Sequence, residues 1–195
     1  MAKINNTTME TTLNRIAFKG GLSNESWDKL VSNLGNDLDK IISIKDVLKS
    51  IGIENTIYVL KTVIRKKNVM LFGIELAENV LHFFEDIFPD DKRPRLAIKG
   101  AKDYVNGDIT RKEYCELMMK AAKAADDVYT HLDKFDFLDA RTKPHSYTEV
   151  SHALDAASIS SFCINRFYAS AESLVNIYED QTKWEYIEAT LLKYL

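Results

Sequence analysis

Residues 69–107 read VMLFGIELAENVLHFFEDIFPDDKRPRLAIKGAKDYVNG, and this stretch decides the fold. Apolar or small residues fall at 69, 73, 76, 80, 83, 84 and 87, with a second row at 70, 74, 77, 81, 84 and 88. A period of about 3.6 residues predicts a helix from Val69 to Phe88 with a wide apolar face. Its polar stripe is narrow: Glu75, Glu78, Asn79, His82, Glu85 and Asp86. Pro89 ends this helix, because proline has no N–H and restricts the residue before it. Pro94 suits the first turn of a following helix, and Asp90 and Asp91 stand where they can cap it or favour its dipole. Gly107 supplies a left-handed stop. Lys92, Arg93 and Arg95 lie within reach of Asp90, Asp91 or the end of the preceding helix.

Around this helix–corner–helix unit the chain has 195 residues, of which 46 % are hydrophobic, enough for a real core in one domain. Three prolines and seven glycines leave little room for β turns. The expectation is an all-α fold, a compact bundle of about seven or eight helices with mostly short antiparallel connections. Within a single domain spanning 1–195, short helices occupy 1–66, the central core 69–134, and a long helix plus a C-terminal helix 147–195. Net charge is −3, without the basic footprint that nucleic-acid binding requires. No apolar run reaches the roughly 18 residues of a membrane span. The polar start, MAKINNTTMETT, lacks the apolar core of a signal peptide. A cytoplasmic protein is expected, with Cys115 and Cys163, both on apolar helix patterns, as reduced core thiols.

Along the chain, Thr7 with Glu10 fits a capping box opening a helix that carries Met9, Leu13 and Ile16 and ends at Gly20-Gly21. Ser23 caps a second helix, with Trp27, Leu30, Val31 and Leu34, that stops at Gly35. Ser43 and Asp46 form another capping box before Val47, Leu48 and Ile51. Gly52 separates that helix from one over Ile53, Ile57, Leu60, Val63 and Ile64, which ends in Arg65, Lys66 and Lys67. Thr110 with Glu113 opens a helix reaching about Lys134, its inner face Tyr114, Leu117, Met118, Ala121, Ala125, Val128 and Leu132. Phe135 to Lys143 reads as a loop closed by Pro144, followed by a helical pattern from Tyr147 to Tyr178 and a last helix with Trp184, Ile187, Leu191 and Leu192.

No phosphate loop, nucleophile elbow, H-E-x-x-H or C-x-x-C occurs. Four groups are candidate sites. Glu75, Glu78, His82 and Glu85 share one side of a helix and can hold a divalent metal, but the order is Glu-x-x-x-His and no second helix repeats it, unlike di-iron bundles. Asp127 with His131, His152 with Asp155, and His145 can meet across two helices for metal binding or acid–base work. Asp90, Asp91, Arg93 and Arg95 make a corner that either binds an anionic group through arginine or locks two helices together, and helix-end chemistry favours locking. Finally, Asp126, Asp127, Asp133, Asp136, Asp139, Glu149, Asp155, Glu172, Glu179 and Asp180 give the C-terminal half an acidic surface, interleaved with lysines and arginines, that is either a solvated face or a site for a basic partner.

The segment ELAENVLHFFEDIFPDDKRPRLAIKGAKDYVNGDIT resembles an all-helical family of bacterial immunity proteins from polymorphic toxin systems. The residues that match are Ala77-Glu78, Val80-Leu81, Phe84-Glu85, Pro89, Asp91, Arg93-Pro94-Arg95, Ala97-Ile98, Ala101, Gly107 and the segment Ala121 to Ala125. The resemblance covers about residues 69–132. It departs from the family at Leu76, where members have cysteine, at His82, where they have proline, and at Tyr104, where they have tryptophan.

This resemblance implies a binding protein rather than an enzyme, without a cofactor or bound metal, that neutralises a protein partner, a toxin or a host enzyme, by direct contact. Phages carry similar domains, so an inhibitor of a host defence or metabolic enzyme is the second expectation. A metal-dependent helical-bundle enzyme built on the histidines is the third, and a homo-oligomer is compatible with all of them. Glu78, His82, Glu85, Asp90, Asp91, Arg93 and Arg95 are the residues expected to bind the partner or to shape the fold.

Overall fold

The computed structural model describes residues 9–19, 21–60, 67–133, 147–162 and 182–195. The described residues form eight helices: α1 (Leu13–Lys19), α2 (Asn24–Leu34), α3 (Ile44–Leu60), α4 (Lys67–Glu85), α5 (Arg93–Asn106), α6 (Arg111–Asp133), α7 (Tyr147–Phe162) and α8 (Thr182–Leu192). Two three-residue strands, β1 (Glu10–Thr12) and β2 (Ile41–Ser43), pair antiparallel with Thr11 opposite Ile42. The architecture is the expected all-α, multi-helix one with a minor sheet. The chain divides into two compact units, Met1–Val69 with Trp184–Leu195, and Met70–Lys183.

In the first unit the start of the chain departs from expectation. Glu10 lies in β1, not in the first turn of a helix, and α1 begins three residues later. Thr12 takes the capping role instead, its hydroxyl accepting from the Arg15 N–H at 3.2 Å. The expected partner Thr7, like Gly20, lies outside the described residues. Adjacent β-branched Thr11 and Thr12 favour the extended chain, and β2 completes their ladder. Ser43 closes β2 and also caps α3, as the spacing predicts. Its Oγ donates to Asp46 Oδ2 at 2.7 Å and accepts from the Asp46 N–H at 3.1 Å. Ser23 caps α2 in the same way, accepting from the Ser26 N–H at 3.2 Å. Gly52 adopts φ 75°, ψ 173° inside α3, so the expected break is real, a conformation that a side chain disfavours. Met9, Leu13, Ile16, Leu30, Ile44, Val47 and Ile57 are buried, as are Ile187 and Leu191 of α8.

In the second unit α5, α6 and α7 pack on one another. Small buried residues make this close approach possible: Ala97 and Ala101 on α5, Ala121, Ala124 and Ala125 on α6, and Ala153, Ala156 and Ala157 on α7. Gly100 marks the tightest contact, since a Cβ there would stand 2.3 Å from Leu117 Cδ1. Phe72, Leu76, Val80 and Phe84 give α4 its buried face. Two ends of α4 differ from the sequence reading. Lys67 opens α4 rather than closing the preceding helix, and Arg65 and Lys66 lie outside the described residues. The helix ends at Glu85, earlier than Phe88, although the Phe88 N–H still reaches Phe84 O at 2.8 Å. Proline at 89 removes the donor that would have continued the ladder. The expected loop over 135–143, most of the helical pattern beyond Phe162, and Cys163 lie outside the described residues. Cys115 is a free, half-buried thiol.

Candidate functional site

The charged residues singled out in the sequence converge on the corner between α4, α5 and α6. Pro94 occupies the first turn of α5, and Lys92 is its N-cap residue without a side-chain cap bond. Asp91 does that work from one residue further out: its Oδ1 accepts the Arg93 N–H at 3.0 Å. The same carboxylate takes the Arg93 guanidinium in a fork, Nε–Oδ1 2.9 Å and Nη2–Oδ2 2.6 Å. Arg93 Nη2 also reaches Asp127 Oδ2 on α6 at 2.8 Å. Asp127 in turn accepts from Lys123 one turn earlier at 2.9 Å. The corner is therefore tied to α6 by a chain of alternating charges. At the other end of α5, Gly107 is left-handed (φ 87°, ψ 12°) and its N–H caps the helix, as expected. Thr110 and Glu113 form the predicted box that opens α6: the Thr110 N–H donates to Glu113 Oε2 at 2.8 Å, and the Glu113 N–H to Thr110 Oγ1 at 3.3 Å.

Two pairs join α4 to α5. Arg95 forks onto Glu85, and Lys102 donates to Glu78 Oε1 at 2.6 Å. Seven residues back along α4 correspond to seven forward along α5, the register of an antiparallel helix pair. His82 lies between Glu78 and Glu85 in sequence but on the outer side of α4, with Nδ1 2.9 Å from Asn79 O. Its ring lies 4.1 Å from that of Phe83, which meets His152 of α7 edge-on at 5.4 Å. Asp90 is exposed.

These contacts perturb the titratable groups. The Arg93 guanidinium holds the Asp91 carboxyl below its ordinary value against the opposing effect of burial. Arg95 does the same for Glu85. Asp127 is lowered by Lys123 first and Arg93 second. Arg93 is raised chiefly by Asp91. Asp155 moves the opposite way: burial pushes its carboxyl up, and nearby His152 only partly offsets this.

Among the described residues the candidate metal group Glu75, Glu78, His82 and Glu85 is not assembled. Among the described residues no three histidine, cysteine, aspartate or glutamate side chains come together around a point. Asp127 is held by cations, and the side chains of His131 and His145 lie outside the described residues. Of the acidic surface, Asp126, Asp127 and Glu149 are exposed and Asp155 is half-buried; the side chains of Asp133, Asp136, Asp139, Glu172, Glu179 and Asp180 lie outside the described residues. In the first unit a pocket of about 240 Å³ is lined by Ile16, Ala17, Leu22, Asn24 and Trp27 and contains none of the candidate residues. Among the described residues no helix is long and apolar enough to cross a membrane. Sequence reasoning missed Lys102 as the partner of Glu78 and Arg93 as the partner of Asp127; the antiparallel register makes the first legible once α4 and α5 are paired.

No curated protein and no solved structure matches the chain. A family model, described as "Imm-5 like putative immunity protein", matches residues 60–159, from the end of α3 through α4, α5 and α6 into α7. That match spans just over half of the chain and contains the whole charged corner, and the protein belongs to this Imm-5-like immunity family.

Proposed function

We propose that the protein acts in the cytoplasm and neutralises a protein partner, a toxin, by direct contact and without chemistry of its own. The observation that carries this reading is family membership over residues 60–159. The way the corner uses its charges supports it. Arginines 93 and 95 are engaged by Asp91, Asp127 and Glu85 rather than converging on an open anion site. Glu78, Glu85, Asp91, Arg93 and Arg95 thus act as ties that hold α4, α5 and α6 in one arrangement, while His82 and Asp90 face outward. A preformed, rigid surface limits the entropy lost on association and so favours tight binding. The test is co-expression in bacteria with any toxin domain that the neighbouring genes encode. Restored growth together with a complex of fixed stoichiometry is the expected result. Continued killing with no complex at micromolar concentrations overturns the proposal.

A further inference from the structure

Helix α6 buries one side and leaves an ordered second side outside. Tyr114, Ala121, Ala124, Ala125 and Val128 form the buried side. Away from it, Lys112, Cys115, Met119, Ala122, Asp126 and Tyr129 follow one another at alternating intervals of three and four residues. That alternation is the a and d pattern of a heptad, and it lines these side chains along one stripe of the helix. The stripe is too short to predict a coiled coil from sequence; its exposure singles it out. Met119 and Tyr129 are large hydrophobic residues left 60 % and 57 % exposed. Cys115 and Ala122 beside them are half-buried, and Lys112 and Asp126 are exposed. Glu116 and Lys123, each one position after a d residue, flank the stripe along one edge and are also exposed. Among the described residues Lys112, Glu116 and Asp126 make no ion pair.

The order of these residues matches its own reverse. In an antiparallel helix pair, an a residue of one helix sits opposite a d residue of the other. With Met119 opposite Ala122 of a second copy, a large side chain meets a small one, and the twofold axis repeats the pair. One layer further out Cys115 meets Asp126. In the outermost layer the Lys112 ammonium meets the face of the Tyr129 ring. Along the edge Glu116 faces Lys123, whose partner within its own helix is Asp127. A parallel pair instead sets Lys112 on Lys112 and Asp126 on Asp126, like charge on like. Charge therefore selects the antiparallel arrangement, in which each copy contributes the same patch.

We propose that the exposed stripe of α6 is a self-association surface, on which a second copy of this chain docks its own α6 antiparallel. The stripe runs over about 27 Å of helix. One helix pair buries less surface than a standard interface, so the dimer is transient and forms at roughly tens of micromolar. This association goes beyond neutralisation and does not depend on it.

The test is sedimentation equilibrium of the full chain from about 1 µM to about 500 µM. The expected result is a monomer at the low end and an average mass approaching twice that of the chain at the high end. Met119→Lys should weaken the dimer at least about tenfold, while Leu96→Lys, at an exposed apolar residue of α5, should change it less than about twofold. Glu116→Lys and Lys123→Glu should each weaken self-association at least about threefold, because like charges then face each other along the edge. An equimolar mixture of these two variants should recover the dimer, because opposite charges face each other again; recovery also shows that both are folded. A monomer at every concentration, or a dimer indifferent to Met119→Lys, overturns the proposed surface. A mixture no tighter than its separate variants overturns the antiparallel docking.

Discussion

Arg93→Ala tests whether the corner is a structural tie. Alanine keeps the N–H that donates to Asp91 Oδ1 at 3.0 Å, so the substitution isolates the guanidinium. Two interactions are removed, the fork on Asp91 and the single contact to Asp127. A hydrogen bond to a charged group contributes about 1.5–3 kcal/mol when well covered. The Arg93 and Asp91 side chains are 32 % and 23 % exposed, so solvent screens part of that. Asp127 is 47 % exposed, and its contact adds little more than about 0.5 kcal/mol. The expected loss is about 1.5 kcal/mol, or roughly 3–6 °C in the melting temperature of a chain this size. Arg93→Lys keeps the charge but not the fork, and should recover less than half of it. Acid provides the discriminating assay. The folded pKa of Asp91 lies below its ordinary value of 3.8, so the stability linked to its charge is present above that value and disappears as pH falls through the folded one. Urea denaturation of both proteins from pH 7 to pH 2.5 should therefore show the deficit shrinking in acid. Equal stability at pH 7, or a deficit unchanged at low pH, refutes the role assigned to Arg93.

Asp155→Asn should stabilise the protein at neutral pH. The folded pKa of Asp155 is raised, so its contribution is fully favourable below the ordinary value of 3.8 and is lost as pH rises through the folded value; the gain from asparagine should accordingly vanish in acid denaturation series. Gly100→Ala should be within about 1 kcal/mol of wild type, because helix propensity gains about what displacing the Leu117 methyl costs. Gly100→Val, whose branches reach further into Leu117, should lose about 2 kcal/mol, and equal urea midpoints for the two would refute the close α5–α6 approach. Gly107→Ala should lose about 1 kcal/mol through the left-handed C-cap, measured the same way. Ser43→Ala should lose about 1 kcal/mol by removing the cap of α3; no change in the melting curve would show that β2 alone sets the start of that helix.

Features encoded within one or two helical turns were legible from the residues alone. The boxes Ser43/Asp46 and Thr110/Glu113, the Ser23 cap, the break at Gly52 and the stop at Gly107 all stand where spacing puts them. Each needs only a backbone donor and a side chain a few residues apart, or a conformation that glycine alone adopts readily, so no distant part of the chain is consulted. The wide apolar face of α4 was legible for the same reason: burial follows periodicity. Glu10 was misread because a three-residue strand has too few residues to show alternation, and the partner that makes it a strand, Ile41–Ser43, is some thirty residues away.

The charged corner divides along the same line. Its sequence determined that Asp91, Arg93, Glu85 and Arg95 would be close, since helix, turn and helix bring them together. Only the tertiary structure decided that Arg93 pairs with Asp127 of α6, that Lys102 takes Glu78, and that His82 is left outside while Phe83 turns toward His152. Those choices depend on which helix packs against which face. That is set by the small-residue contacts of α5, α6 and α7, through energies distributed over the whole core rather than held in any local motif.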